Sequence, residues 1–408
     1  MSPILPDLTV RPGTEADLDA ILPLTFAAFH NEPDDARVAL ERAVCEPERS
    51  VVVTDGELLV GHLGSFARDL TVPGGAVPAA HVTQVAVAPT HRRRGALTGM
   101  MRQHFTDAPE PVAVLWASEG RIYPRYGYGL AVPRLTLNAT TREVRLPAGD
   151  AGRLRLGTPA DLRKEITTVY EAALPARPGW SSRPEVWWDY VLADLESSRH
   201  GATSRRAVIH EGDDGPDGYA TWRVHQGANP DNDPISATVV VSELVAESPA
   251  ARLALWRFLF GIDLTSRVRY DFTPADEPLI HLADDPGWLG IGWEHALWVR
   301  LLDLPAALSA RRYATAIDVV LEVTDALLPA NAGRWRLHGG PDGASCVRTQ
   351  DAAGLALDVR DLGAVYLGGT ALAALAGAGL VRELAPGTLA AASTAFGWHR
   401  APSALEVF

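Results

Sequence analysis

The sequence predicts a mixed α/β protein of the α+β class, built from more than one lobe, and three observations carry that expectation. β-Branched and alternating apolar runs interleave with stretches whose apolar residues recur every three to four positions, the periods of strand and helix. The chain has 408 residues, against roughly 100 to 200 for one domain. A pattern near the start, ending Gly13-Thr14-Glu15-Ala16-Asp17, returns as Gly157-Thr158-Pro159-Ala160-Asp161. Each copy leads into an amphipathic helix, so the second lobe reads as a degenerate repeat of the first.

Thr14 reads as a helix N-cap, with acids in the first turn that suit the positive end of the helix dipole. Leu18, Ile21, Leu22 and Phe26 follow at helical spacing. Residues 51–54, Asp55-Gly56 and 58–63 read as a hairpin, because a Gly-containing tight turn separates two β-prone runs. Strands are expected at 65–72 and 81–88, with a turn over 73–78. The helix from Arg94 to about Phe105 carries Leu97, Met100, Met101, His104 and Phe105 on one face. Residues 112–116 are the next strand, and 135–138 and 144–146 look like strands crossing into a second lobe.

In that second lobe a strand at 238–244 feeds Ser248-Pro249, an N-cap and first-turn pair, and a helix over 250–260. This repeats the strand, loop and helix of 82–105, but the arginine-glycine loop between them has gone. Residues 213–218 and 229–234 read as acidic loops without EF-hand ligand spacing. A third lobe is expected to open with a strand at 296–302, then Pro305 at the entry of a helix over 306–311. Strands follow at 316–323, 334–338 and 355–359, and helices at 370–375 and 388–395. The apolar end, 404–408, reads as strand-like and tucked in. The expected partition is 1–140, 141–294 and 295–408.

Composition narrows the class of function. At 47% hydrophobic and 21% charged, the chain balances like a globular protein rather than a disordered one. Lys plus Arg number 37 against 50 Asp plus Glu, a formal charge of -13, which repels nucleic acid and attracts cations. Cys45 and Cys346 form no Cys-x-x-Cys pattern, so neither a disulfide framework nor a metal site is indicated, and a reducing cytoplasm fits. Residues 1–8 lack a basic segment ahead of an apolar one, and 371–380 falls far short of the ~18 residues of a membrane span, so neither export nor a membrane is expected.

Two stretches carry chemistry. The first is Gln84-Val85-Ala86-Val87-Ala88-Pro89-Thr90-His91-Arg92-Arg93-Arg94-Gly95-Ala96-Leu97-Thr98. It places a strand, then a cationic loop with a glycine that admits close backbone approach, then a helix whose first N–H groups are free for an anion. That suits a diphosphate, while the Gly-Lys-Ser/Thr loop of nucleoside triphosphate sites and the Gly-x-Gly-x-x-Gly of dinucleotide sites are both missing. The second stretch is Trp116-Ala117-Ser118-Glu119-Gly120-Arg121-Ile122-Tyr123-Pro124-Arg125-Tyr126-Gly127-Tyr128-Gly129. No Gly-x-Ser-x-Gly is present, and neither cysteine sits in a nucleophile pattern.

These stretches resemble the GNAT acetyltransferase superfamily, whose pyrophosphate loop reads Arg/Gln-x-x-Gly-x-Gly/Ala after a strand ending Val-x-Pro. With Val241-Ser242-Glu243-Leu244, Leu255-Trp256-Arg257, Leu297-Trp298-Val299-Arg300 and Val365-Tyr366-Leu367-Gly368, the whole chain resembles the enhanced intracellular survival (Eis) acetyltransferases. The resemblance implies tandem GNAT folds followed by a sterol-carrier-protein-like lobe. It implies acetyl-CoA as co-substrate, held by Val85, Ala86 and Val87, by Arg93, Arg94, Gly95, Ala96, Leu97 and Thr98, and by Ser118 with Glu119. It implies Tyr123, four residues before the Gly-aromatic pair, as the acid that protonates the leaving thiolate. A phenol of pKa ~10 suits that role beside a thiol of ~8.5. It also implies the C-terminal carboxylate, here that of Phe408, as general base.

The resemblance further implies a homohexamer and acceptors such as aminoglycosides or polyamines, acetylated at several amines without a covalent enzyme intermediate. Glu32, Asp34 and Asp35 would gather a polycation, and Phe26, Phe29 and Trp116 would wall its pocket. Trp116 stands where family members tend to have histidine, and the tail departs from the family's usual ending around Glu406 and Val407. A protein lysine acetyltransferase and a non-enzymatic acyl-CoA or lipid carrier are the alternatives.

Overall fold

The computed structural model describes residues 8–149, 152–227 and 236–408, so the turn expected at 229–234 lies outside the described residues. The first part of the chain runs β1 (Leu8–Pro12), α1 (Leu18–Ala28), α2 (Asp35–Val44), β2 (Val51–Asp55), β3 (Leu58–Val72), β4 (Gly75–Val87), α3 (Ala96–Asp107), β5 (Val112–Trp116) and β6 (Gly129–Thr140). The second runs β7 (Arg153–Gly157), α4 (Arg163–Ala173), α5 (Glu185–Leu192), β8 (Arg206–Gly212), β9 (Gly215–His225), β10 (Ala237–Ala246), α6 (Pro249–Phe260), β11 (Thr265–Thr273), α7 (Leu279–Leu282) and β12 (Gly292–Leu301). The third runs α8 (Leu304–Ala310), β13 (Ile317–Thr324), β14 (Gly333–Gly340), β15 (Gly343–Arg348), β16 (Leu355–Asp358), α9 (Val359–Val365), α10 (Leu372–Gly377), β17 (Val381–Glu383) and α11 (Thr388–Phe396).

The repeated Gly-Thr-x-Ala-Asp pattern folds alike in both places. The Asp17 carboxylate accepts from the Thr14 amide at 2.9 Å and its hydroxyl at 2.8 Å. Asp161 does the same for Thr158, at 3.3 and 2.7 Å. Each aspartate thereby satisfies donors that a helix start would leave unpaired.

Twelve strands join in one sheet, in the order β1-β2-β3-β4-β5-β12-β6-β11-β10-β9-β8-β7. The two halves exchange a strand. β6, which leaves the first half, pairs antiparallel with β11, while β12, which leaves the second, pairs antiparallel with β5. The strand expected to open the third lobe thus belongs to the large sheet, paired with β5 and β6, while its apolar residues Ala296, Leu297, Val299 and Leu301 are buried in the core shared with the third part. The third part forms its own five-stranded sheet, β15-β14-β13-β16-β17.

Other differences have local causes. Residues 58–72 form one strand, and the turn between β3 and β4 is confined to Pro73 and Gly74. Pro78 is tolerated within β4 because β5 joins that strand only from Ala79 onward. Residues 144–146 are irregular; buried Val144 and partly buried Leu146 pack on the second half's core without a strand partner. The C-terminal residues form no strand either, yet Ala404 and Leu405 are buried.

Three cores position the site. One lies between α3 and its face of the first half-sheet, and another between α6 and the second half-sheet. The largest glues the third part to the opposite face of β4, β5 and β12, through Leu304, Leu308, Val365, Tyr366 and Phe396. There α9 lies hard against β12: a Cβ on Gly363 would sit 2.3 Å from the Val299 carbonyl oxygen.

Candidate active site

The site grows from a defect in the sheet. β4 and β5 are parallel neighbours only over Ala79–Val82 and Val112–Leu115. Beyond that the register of β4 on β3 shifts between His62 and Gly64, and Gln84 takes a positive φ of 50°. Such a bulge bends its strand, and β4 splays from β5 with the backbone of Val85, Ala86 and Val87 unpaired on the β5 side. His62 pins the bulge. Its Nδ1 lies 3.0 Å from the Gln84 carbonyl oxygen, which can only accept, so Nδ1 carries the proton and Nε2 accepts from the Ser50 hydroxyl at 3.1 Å. Burial pushes the His62 imidazole down to about 4, so the ring is neutral at physiological pH.

Past Val87 the chain enters α3 through Gly95, which takes the left-handed conformation at φ 89°. No side chain caps α3, and its first internal bond runs from the Gly99 amide to the Gly95 carbonyl at 3.0 Å. The amides of Ala96, Leu97 and Thr98 therefore point forward unsatisfied, at the positive end of the helix dipole. Arg92 and Arg93 are exposed beside them. Arg94 turns back instead, 3.6 Å from the Asp55 carboxylate that also meets His91 at 3.1 Å. These groups fit a diphosphate: free amides, a left-handed glycine admitting close approach, and two solvent-facing guanidinium groups.

Ser118 and Glu119 lie exposed in the turn after β5, whose Glu119 carbonyl accepts from the Ile122 amide at 3.1 Å. Tyr123 opens a one-turn 3-10 helix and is 8% exposed, edge-on to Tyr128 with ring centroids 5.9 Å apart. Burial, reinforced by Tyr126 and Glu119, pushes its phenol up to about 12, so it is a protonated donor throughout the physiological range. The Tyr126 and Tyr128 side chains are core, and the Tyr126 hydroxyl reaches the Thr98 hydroxyl at 3.2 Å.

Alternation along the strands sorts these residues onto two faces. Ala113, Leu115 and Ala117 share a core with Val85, Val87, Ala96, Leu97 and Tyr123. Val112 and Val114 belong to the opposite core, against which Trp116 and Phe408 pack. The gap between β4 and β5 is where groups from the two faces can meet.

Phe408 reaches its face as the end of a docked tail. The Ala401 carbonyl accepts from Arg177 at 2.9 Å, and the Ser403 amide donates to the Pro178 carbonyl at 3.0 Å. The Ser403 hydroxyl accepts from the Trp180 indole at 2.9 Å. Glu406 then accepts from Arg183 at 2.7 Å, from the Trp187 indole at 2.9 Å, and from Arg68 of β3. Burial alone would raise this carboxyl; Arg183 and Arg68 outweigh it and hold Glu406 down to about 2. The Phe408 ring ends edge-on to His81, centroids 4.8 Å apart. His81 is itself neutral, pushed down to about 3 by burial and Arg68, with Nδ1 on the Ala79 carbonyl and Nε2 accepting from Ser181 at 2.7 Å.

A pocket of about 280 Å³ opens beside Phe408, walled by Phe26, Phe29, Phe66, Trp187 and Tyr190, with Glu41 and Gln84 as polar lining. Glu41 is already engaged by Arg37 at 2.5 Å, the Tyr190 hydroxyl at 2.9 Å and the Gln84 amide at 3.0 Å. It continues through Leu22 and Phe26 into a groove of about 790 Å³ between α1 and α2 that carries Asp19 and Glu32. Of the residues expected to wall the pocket, Phe26 and Phe29 do so. Trp116 lies edge-on to Phe272 instead, at 5.9 Å. Asp34 serves as the N-cap of α2, accepting from the Arg37 amide at 2.8 Å.

Sequence reasoning missed Glu41, His81, Arg68, Arg183 and Trp187. The first four are single residues whose meaning exists only once distant segments meet. Trp187 had a readable signal, since Glu185-Val186-Trp187-Trp188-Asp189-Tyr190 concentrates three aromatics on one short helix.

Comparison with known proteins agrees with this architecture. Residues 9–131 and 179–301 each match the family model of the acetyltransferase (GNAT) domain, and residues 304–404 that of the sterol carrier protein domain. The chain is 48% identical to an uncharacterized N-acetyltransferase of Streptomyces avermitilis, over 89% of this chain and 90% of that relative. It is 36% identical to N-acetyltransferase Eis of Mycobacterium tuberculosis, over 92% of this chain and 93% of that one. The structure of Eis1 from Mycobacterium abscessus superposes with a TM-score of 0.85 at 33% identity, covering 98% of this chain and 100% of that one. A GCN5-related N-acetyltransferase from Kribbella flavida gives 0.80 at 27%, covering 98% of each. Two GNAT domains, a sterol-carrier-like third domain and this level of identity over nearly the whole length mean that the chain is an acetyltransferase and belongs to the Eis family of GNAT N-acetyltransferases.

Proposed function

We propose that this enzyme moves the acetyl group of acetyl-CoA directly onto a primary amine in a ternary complex. The observation that carries the reading is the placement of Tyr123 and Phe408 in cores on opposite faces of the sheet at the β4–β5 gap. Acetyl-CoA supplies an activated thioester. Its diphosphate would rest on the amides of Gly95, Ala96, Leu97 and Thr98 and on Arg93, with Arg94 steadying the loop through Asp55. Val85, Ala86 and Val87 would bond its amide-bearing arm as an added strand would, with Ser118 and Glu119 at the far side.

An alkylammonium of pKa ~10 must lose a proton before it can attack. The Phe408 carboxylate accepts that proton as general base, held beside the acceptor pocket by the docked tail. As the N–C bond forms and the C–S bond breaks, Tyr123 gives its phenolic proton to sulfur, which leaves as the thiol; the acylated nitrogen releases its second proton, and the Tyr123 phenolate takes one back, so that the products are a neutral amide, a thiol and the proton held by the base. The phenol's high pKa suits this because a thiolate departing in the same dry surroundings is raised by the same burial. Cys45 and Cys346, pushed up by burial to about 11 and 12, are inert alternatives as nucleophiles.

The reading extends to polycationic acceptors such as aminoglycosides or polyamines, modified at more than one amine; the formal charge of -13 and Glu32 on the outer groove support it, while Asp19 there is paired with Arg42 at 2.5 Å. The same reading carries a homohexamer and a reducing cytoplasm, the latter supported by two free cysteines. It divides the chain into a cofactor-bearing lobe 1–140, a degenerate lobe 141–294 and a tail-bearing lobe 295–408. The test is CoA-thiol release from acetyl-CoA with aminoglycosides, polyamines and lysine peptides, beside Tyr123→Phe and a chain lacking Phe408. Turnover that both variants abolish while acetyl-CoA still binds is the expected result; no turnover on any amine overturns the proposal.

A further inference from the structure

A second cavity, of about 430 Å³, adjoins the pocket beside Phe408 and shares Arg37, Trp187, Tyr190 and Val407 with it. Its walls come from α2, from α5, from β9 and β10 and from the tail, so it lies where the two GNAT halves and the C-terminus meet. In a chain with an excess of acids, four arginines line it: Arg37, Arg183, Arg205 and Arg223.

Three of the four are matched. Arg37 pairs with Glu41 at 2.5 Å, Arg183 with Glu243 at 2.6 Å and Glu406 at 2.7 Å, and Arg223 with Asp194 at 2.5 Å. The carboxylates on the lining are equally committed: Glu243 and Glu406 to Arg183, and Asp271 to Arg269 at 2.7 Å. Arg205 is different. Among the described residues it forms no ion pair; one terminal nitrogen donates to the Val191 carbonyl at 2.6 Å, and its Nε is buried with no partner. Asp194 accepts the Arg205 backbone amide and is already shared by the side chains of Arg199 and Arg223. Burial pushes Arg205 down to about 10, with Arg223 adding to the shift and Asp194 and Glu243 opposing it. Thr221 and Ser242 add hydroxyl groups to the same lining.

A desolvated guanidinium without an anion is unfavourable, and a planar fork beside hydroxyl donors matches a carboxylate or phosphate. We propose that this cavity is an oxyanion site, in which Arg205, with Arg223, Thr221 and Ser242, holds a small carboxylate or phosphate group. The group is either a free anion or part of the acceptor whose amine lies in the adjoining pocket. Only the second source rests on the acetyl-transfer reading.

Calorimetry of the full chain with inorganic phosphate, at saturating acetyl-CoA, tests the site without any turnover. Saturable binding that weakens at least tenfold in Arg205→Ala, about threefold in the milder Ser242→Ala, and not at all in the exposed-surface control Arg382→Ala is expected. Thermal melts report whether each variant is folded. The kinetic arm compares 6-aminohexanoate with hexylamine. An acceptor-borne carboxylate gives a KM at least tenfold lower for the former, and Arg205→Ala removes the gap. Equal KM values with phosphate binding assign the site to a free anion. Phosphate binding without turnover on any amine keeps the site and removes the transfer reading. Neither Arg205-dependent phosphate binding nor a KM gap overturns the proposal.

Discussion

The two GNAT halves differ most where a strand hands over to a helix. In the first, Gly95 leads into α3 with no side-chain cap and leaves three amides open beside exposed arginines. In the second, the Ser248 hydroxyl caps α6 by accepting from the Ala251 amide at 3.0 Å, Pro249 removes another donor, and Asp217 sits 2.6 Å from that hydroxyl. One helix end leaves its first donors open; the other is internally satisfied and carries an acid beside its cap. The two halves share a frame, and the arginine-glycine loop of the first has no counterpart ahead of α6 in the second. The second half instead serves the first by gripping the tail with Arg183, Trp180 and Trp187.

If activity resides wholly in the first half, Tyr123→Phe should lower kcat by about 10² to 10⁴-fold, the usual span for losing a general acid, with acetyl-CoA affinity unchanged by calorimetry. Substantial residual turnover would point to a working second half. Gly95→Asp imposes on α3 both an acid and a strained left-handed backbone. It should weaken acetyl-CoA binding about 10- to 100-fold, read as Kd, while the melting temperature moves little. Glu406→Gln loosens the tail without shortening it, and should cost about tenfold in kcat at constant acetyl-CoA Kd.

The Glu406 carboxylate also has a pH signature. Its pKa in the folded chain is held below the unfolded value of about 4.3. Its contribution is therefore complete above that value and lost as pH falls toward about 2. The clamp is constant between pH 5 and 9, so a fall in kcat/KM on acidifying from 9 to 6 reports the acceptor amine and its base. With Tyr123 pushed up to about 12, no downturn should appear below about pH 10. The smallest effect is expected at the other helix: Ser248→Ala should cost about 1 kcal/mol of stability, measured by denaturant midpoint, and leave acetyl-CoA at one per chain.

Much of this was legible in the residues. Period, caps and the Gly-Thr-x-Ala-Asp echo identify most elements, because those signals are local. The arginine-glycine loop and the tyrosine turn mark the site for the same reason. What escaped depends on partners far apart in sequence. Nothing around Gly292–Leu301 distinguishes a strand opening a third lobe from one completing the first, since both bury the same alternating residues. The bulge at Gln84 needs His62 across the sheet, and the Glu406 clamp needs Arg68 and Arg183 from two different halves. Trp116 reads as a pocket wall from its place at the end of β5, yet its ring is drawn away by Phe272 of the second half.

The exchanged strands also set an order of events at the ribosome. The half that bears Tyr123 cannot complete its sheet when its own residues emerge, because β12 is made about 185 residues after β5. At 5 to 20 residues per second that is a wait of roughly 10 to 40 s with an unpaired β5 edge. An edge of Val112, Val114 and Leu115 left open for so long is a natural client for chaperones. It also means that neither half is a heritable unit: a gene split between them would yield two polypeptides, each missing the strand the other carries.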